Sequence, residues 1–383
     1  MRLQVATIYV ITSLLLLNLQ GWQRDLPGKQ GGKTNSPDIE TVLDSIVNKA
    51  ATKFMEDSSH VGLSIGIYAK GASYSYHYGT ILKGKTIAPD ANTIYELASL
   101  TKTFTGILLA QAVVDKKLKL SDPVSQYLGR EYANLTFKGR PVRIVDLANH
   151  TSGLPKNIPE LPKNLPAAKI ATLQASYSQE AFLHHLKSIN LQSPPGFLFT
   201  YSNAGTQLIG IILEKVYHQS YEQLVQRYIC GPNQMSNTST LTLTIHGPAN
   251  IAQGYNKQGK PVPYLDHWKA IPAAANLKSN TQDLLKFMEF NLKETDHPAI
   301  QLAHQYTFRH TPEGGADIGL FWFSKMQNQT VRQIMHGGGS FGMTTFCLAV
   351  PQQNKGIVCL ANDAAPDTEK ELKRLADHIM SCL

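Results

Sequence analysis

Ser99-Leu100-Thr101-Lys102 decides how the rest of this 383-residue chain is read. Ser99 is the only serine with a lysine three positions later. Residues three apart share one face of a helix, so the hydroxyl and the amine meet there. An amine that takes up the serine proton makes a nucleophile without a histidine. Glu96-Leu97-Ala98 leads into the stretch, and Phe104-Thr105-Gly106-Ile107-Leu108-Leu109-Ala110 continues it as an apolar helix. A chain of this composition holds roughly one Ser-x-x-Lys by accident, so other motifs must decide its meaning.

The bulk composition is that of an ordinary globular protein. Hydrophobic residues make up 42% and charged residues 17%, with a formal net charge of +8. The basic residues are scattered rather than blocked, which describes a solvated surface and excludes a nucleic-acid footprint. Arg2 followed by the apolar run Val5–Leu19 reads as a signal peptide over residues 1–22. A run of about 15 residues suits a signal better than a membrane span, which needs about 20; an uncleaved anchor is the alternative. Residues 23–37, rich in Gly, Lys and Gln, read as a linker. The expectation is an exported protein, periplasmic or secreted, that meets a membrane only through this segment.

The four cysteines, Cys230, Cys347, Cys359 and Cys382, form no C-x-x-C pair, and no H-E-x-x-H is present. Neither a metal nor another cofactor is expected. If Val350 pairs with Gly356 across a short hairpin, Cys347 lies opposite Cys359. Export would then permit a disulfide; two buried free thiols are the other reading.

Apolar spacing predicts a helix over Ile39–Met55, with Ile39, Val42, Leu43, Ile46 and Val47 on one face. Val61–Ala69 and Ser73–Tyr78 read as a strand pair. Leu284–Leu292 reads as a helix, and Ile318–Ser324, Thr330–Met335, Phe341–Val350 and Lys355–Ala361 as strands. Asp367–Ile379 is a closing amphipathic helix. The outline is a catalytic domain over residues 38–383. A sheet-containing region is drawn from 38–117 and 267–383, with a helical region, 118–266, inserted between.

Tyr201-Ser202-Asn203 precedes the apolar helix Leu208–Val216. Ser and Asn are common helix caps, which is one reading. The other needs a phenol beside Ser99 to move a proton and an amide to bind a substrate carbonyl. His336-Gly337-Gly338-Gly339 follows the strand Thr330–Met335. It reads either as a hairpin turn or as an active-site edge. In the second case the glycines let a substrate approach, the histidine supplies a donor or a charge, and backbone N–H groups hold an oxyanion. Gly62-Leu63-Ser64-Ile65-Gly66 matches the G-x-S-x-G nucleophile elbow. The elbow needs a helix after its serine, whereas here a strand pattern runs through Ser64 into Tyr68.

Ser99-x-x-Lys102, Tyr201-Ser202-Asn203 and His336-Gly337-Gly338, in this order, resemble the penicillin-recognising serine hydrolases. The nearest branch is that of the class C β-lactamases and D-alanyl-D-alanine carboxypeptidases. Ser99–Gly106 looks like the nucleophile helix of that family, and Leu118–Leu128 like its Leu-x-Leu-x-Asp-Pro-Val segment. His150-Thr151-Ser152-Gly153-Leu154-Pro155 looks like its marker loop. Pro195–Gly210 and His336–Asn362 also fit, so the likeness covers most of residues 40–380.

The resemblance implies an α/β (α+β) fold of the beta-lactamase-like kind, an antiparallel sheet flanked by helices with an inserted, mostly helical domain. It implies that Ser99 forms an acyl-enzyme and that Lys102 holds it and takes its proton. Tyr201 would pass protons to the leaving group, and Asn203 would bind the substrate amide. His336 would orient Tyr201 or the substrate. Backbone N–H groups of Ser99 and Gly339, with Gly338 beside them, would form the oxyanion hole. The substrate would be a D-amino-acid peptide, a β-lactam or an ester. The alternatives are a carboxyl-ester hydrolase with the same residues, or a penicillin-binding sensor that acylates without turnover. One departure bears on this choice. Many relatives have Lys-Thr-Gly or His-Thr-Gly where this chain has His336-Gly337-Gly338. The missing hydroxyl usually helps to hold a terminal carboxylate of the substrate.

Overall fold

The computed structural model describes residues 39–160, 165–240, 250–264, 271–309 and 316–383. The signal and linker segments read from residues 1–37 lie outside them. Seven antiparallel strands form the main sheet. β1 (Gly62–Ala69) and β2 (Ala72–Gly79) come from early in the chain. β3 (Asp317–Ile318), β4 (Phe323–Met326), β5 (Arg332–Gly339), β6 (Thr344–Val350) and β7 (Lys355–Ala361) come from late in it. The order is β2-β1-β7-β6-β5-β4-β3. The β1–β7 pairing, with Leu63 opposite Ala361, therefore joins the two distant parts of the chain.

The central strands are buried on both faces, which explains their near-continuous apolar runs. On one face Leu63, Ile65, Ile67, Phe346, Leu348 and Val350 pack with α1 (Ile39–Met55) and the amphipathic α5 (Thr368–Cys382). The α1 stripe runs through Leu43, Val47, Ala51 and Phe54, at helical spacing. Val42, expected on that stripe, is 43% exposed, because it lies about 100° round the helix from Leu43. On the other face Cys347, Ala349, Val358 and Leu360 pack in a larger core. That core includes residues of α2 (Thr101–Val114), α3 (Asn203–Tyr217) and α4 (Thr281–Leu292). α2 is buried on nearly every side, as a helix through the middle of a core must be.

Three expectations need correction. The run Ile318–Ser324 is not one strand: β3 and β4 form a hairpin, with Ile318 opposite Phe323. Its turn buries Leu320, Phe321 and Trp322 completely, and a short apolar run cannot distinguish a buried turn from a strand. β5 does not stop at Met335 but continues through Gly339, pairing Gly338 with Thr345. Cys347 does not face Cys359. A short 3₁₀ turn over Pro351–Gln353 pairs Val350 with Lys355, so Cys347 lies opposite Val358. That one-residue shift sends the two thiols to opposite faces of the sheet. Both are free, and burial raises their pKa values.

α2 packs so closely on the β3–β4 turn that a Cβ on Gly106 would collide with the Leu320 carbonyl oxygen. Gly106→Ala should therefore destabilise the fold by about 1–3 kcal/mol. Helix propensity alone predicts a gain of about 1 kcal/mol. Urea unfolding of the variant reads the sign, and a stabilised variant would contradict the close approach.

Candidate active site

Ser99 sits in a 3₁₀ turn, Ala98–Leu100, immediately before α2. Ala98 takes φ +46°, a left-handed conformation that strains a residue with a Cβ. The turn is held from outside. Leu97 N–H donates to the Leu277 carbonyl at 2.8 Å, and Leu277 N–H donates to Thr101 Oγ1 at 3.1 Å. Sequence spacing implied Ser99 on the helix proper. The structure places it one turn earlier, half-buried and facing a cavity.

Lys102 is fully buried on the first turn of α2. Its Nζ donates to Ser99 Oγ at 3.1 Å, to Asn203 Oδ1 at 2.8 Å and to the Ala274 carbonyl at 2.7 Å. It also lies 4.9 Å from the centroid of the Tyr201 ring. Removal from water holds its pKa well below the ordinary lysine value, and the charge of Lys156 adds to that effect. Among the described residues, none of its hydrogen-bond acceptors is a carboxylate. Loss of the ammonium proton leaves two hydrogens for Asn203 and Ala274 and a lone pair toward Ser99 Oγ, so that the Ser99 hydroxyl then donates to the amine.

Tyr201-Ser202-Asn203 serves both of its sequence readings. Ser202 is the cap of α3: its Oγ accepts from Gly205 N–H at 3.0 Å and donates to the Pro155 carbonyl at 2.6 Å. The capping residue aims its two neighbours at Lys102. Asn203 Oδ1 accepts from Lys102, and one of its amide hydrogens goes to Asn157 Oδ1 at 2.9 Å. The second amide hydrogen is left for a substrate carbonyl. Burial raises the pKa of Tyr201, against the effect of its hydrogen bond with Ser99, so the phenol stays protonated at neutral pH.

His150, in the marker loop, supports this arrangement from behind. It is fully buried, at φ +57°, with its ring 4.5 Å from that of Tyr201. Its Nδ1 accepts from Ser202 N–H at 3.2 Å, and its carbonyl accepts from Thr200 N–H at 2.7 Å. Burial, with Lys102 and His336 nearby, keeps the ring neutral.

His336 lies on β5 and is buried. Its Nδ1 is 2.5 Å from the Gly337 carbonyl, to which it donates. Burial first, and then Lys102, pushes its pKa down to about 3. The ring is therefore a neutral acceptor at Nε2, not the positive charge that the sequence allowed. Gly338 fits β5 against the nucleophile turn: an added Cβ would lie 2.5 Å from Thr345 Oγ1 and 2.9 Å from Leu100 N. Gly339 lies at the exposed edge, with open space where a Cβ would stand.

Ser99, Tyr201, His336, Gly338 and Gly339 thus line one cavity of about 520 Å³, with Phe199, Phe323 and Glu369. Lys102 and Asn203 stand behind Ser99. A smaller, mostly apolar cavity of about 190 Å³ has Asn203, Ile158, Tyr177 and Phe182 in its wall. Ser64, the decoy, is buried in β1, bonded to His77 Nδ1 and Tyr95 OH, both at 2.9 Å. Ser340 Oγ, a possible substitute for the missing hydroxyl, accepts from Met343 N–H at 3.0 Å in a turn. Sequence reasoning missed Asn157, the Ala274 carbonyl and Glu369. No motif marks them, because they reach the site only through folding.

Residues 47–379 match the model of the beta-lactamase family. Protein flp of Staphylococcus aureus (strain MW2) is 28% identical over 353 residues, covering 90% of this chain and 67% of its own length. A beta-lactamase of Providencia stuartii is 27% identical over 351 residues, covering 82% of this chain and 85% of its own. A solved class C beta-lactamase superposes with a TM-score of 0.78 at 23% identity, covering 92% of this chain and 99% of that one. A beta-lactamase/D-alanine carboxypeptidase from Pseudomonas syringae does so with a TM-score of 0.73 at 23% identity, covering 89% and 99%. These two structures establish the likeness of the fold, with its antiparallel sheet and flanking helices.

The neutral imidazoles predict a pH dependence of stability. Both histidines have folded pKa values below the ordinary 6.5. Below that pH the unfolded chain binds protons that the folded chain refuses. Their contribution is complete above 6.5 and is lost as pH falls toward the folded values. Urea unfolding between about pH 7.5 and pH 5 should show falling stability, with a shallower slope in His336→Asn. An unchanged slope would contradict a neutral His336.

Proposed function

Because the chain belongs to the beta-lactamase family of serine hydrolases, we propose that it is an exported acyl-hydrolase whose nucleophile is Ser99. The observation that carries this reading is the buried Lys102 amine, 3.1 Å from Ser99 Oγ and depressed in pKa. Ser99 Oγ attacks the substrate carbonyl carbon and gives its proton to Lys102. Tyr201, a neutral phenol in the same cavity wall as Ser99, relays that proton to the leaving nitrogen or oxygen as the scissile bond breaks. Water then attacks the acyl-serine, loses its proton to the same relay, and releases the acid with Ser99 restored. The raised pKa of Tyr201 and the lowered pKa of Lys102 favour the lysine as the base in the resting site. Asn203 steadies the substrate amide, while the N–H groups of Ser99 and Gly339 receive the oxyanion. A single such donor is worth about 3–4 kcal/mol.

The names of the relatives suggest two substrate classes, β-lactams and D-alanyl peptides. Carboxyl-ester hydrolysis is a second reading, favoured by one observation: Gly337 supplies no hydroxyl where relatives use one to hold a terminal carboxylate. The apolar run Val5–Leu19 supports export.

Turnover of nitrocefin, a D-Ala-D-Ala peptide and p-nitrophenyl acetate tests the proposal. Ser99→Ala should abolish hydrolysis of every substrate that the wild type accepts. Lys102→Ala and Tyr201→Phe should each lower kcat/KM by about 10²-fold or more. Full activity in Ser99→Ala would overturn the assignment.

A further inference from the structure

Glu369 is a carboxylate placed where substrate must lie. It is the second residue of α5, and it lines the cavity that holds Ser99, Tyr201 and His336. The start of α5 is pinned from both sides of Asp363. Thr368 Oγ1 donates to Asp363 Oδ1 at 2.7 Å, and Thr344 Oγ1 on β6 donates to the Asp363 carbonyl at 2.8 Å. That anchor sets the Glu369 side chain over β5. A Cβ built on Gly337 would touch its carboxyl group, so the carboxylate lies directly over Gly337.

Among the described residues this carboxylate has neither a hydrogen bond nor an ion pair, and the residue is exposed to solvent at the mouth of the cavity. Loss of water around it raises its pKa, as expected for an acid without a cationic neighbour. The described residues that line the cleft include no lysine or arginine. Lys102 is enclosed by its three acceptors, and His336 is neutral. The cavity walls carry three aromatic rings, Phe199, Tyr201 and Phe323. A carboxylate beside aromatic faces is the chemistry that receives an alkylammonium group. It repels the anion that relatives with a hydroxyl at this strand position hold.

We propose that Glu369 sets the charge specificity of the cleft: the acyl donor that fits carries a protonated amine, not a carboxylate, where it passes Gly337. This rests on the reading of Ser99 as an acyl-transfer nucleophile and narrows its substrates to cationic esters or amides.

Phenylboronic acids test both layers, because they form reversible tetrahedral adducts with a nucleophilic serine and need no turnover. Three probes are compared by calorimetry: the unsubstituted acid, its aminomethyl derivative and its carboxyl derivative. The wild type should bind the aminomethyl probe about tenfold or more tighter than the carboxyl probe. Glu369→Gln should erase or reverse that ratio. Equal affinities, a preference for the carboxyl probe, no binding of the aminomethyl probe, or a ratio unchanged in Glu369→Gln overturns the inference. The unsubstituted probe reports separately on the nucleophile. Binding that is equal in Ser99→Ala overturns the reading of Ser99.

Discussion

The site depends on an amine kept away from water. Lys102 joins three segments: the Ser99 turn, the start of α3 at Asn203, and the short helix Pro272–Ala275 through its Ala274 carbonyl. A buried ammonium without a carboxylate is expensive, and the usual escape is to lose the proton. The same dry surroundings act on its neighbours. They raise the phenol of Tyr201 and depress the imidazoles of His150 and His336. One environment thus pushes all four titratable groups toward their neutral forms.

That environment is assembled by ordinary folding. The paired β1 and β7 bring the two parts of the chain together, and β5 then lies against the Ser99 turn. The three glycines after His336 serve different ends. Gly338 allows the close approach of β5 to the nucleophile turn, Gly337 lies beneath the Glu369 carboxyl group, and Gly339 opens the edge of the cavity. A motif that reads as one unit is therefore three separate steric solutions.

Much of this was legible in the residues. The Ser99–Lys102 spacing, the cap at Ser202 and the strand alternation follow from local periodicity, and the antiparallel sheet follows from the family resemblance that the three motifs carry. Errors arose where local pattern is silent. The buried turn at Leu320–Trp322 has the same apolar run as a strand, and the Cys347–Val358 register depends on the turn beyond Val350. The charge state of His336 is set by what covers it, and Glu369 reaches the cleft from 33 residues beyond His336 through the packing of α5. None of these is a property of a short window.

The most direct test of the central claim is the pH dependence of Ser99 acylation by a fluorophosphonate, with the adduct mapped to its peptide. Burial of Lys102 predicts that the rate reaches its plateau well below 10.5, the ordinary lysine value, because the amine is already free. A rate that keeps climbing through that value, or an adduct on another serine, would contradict the account.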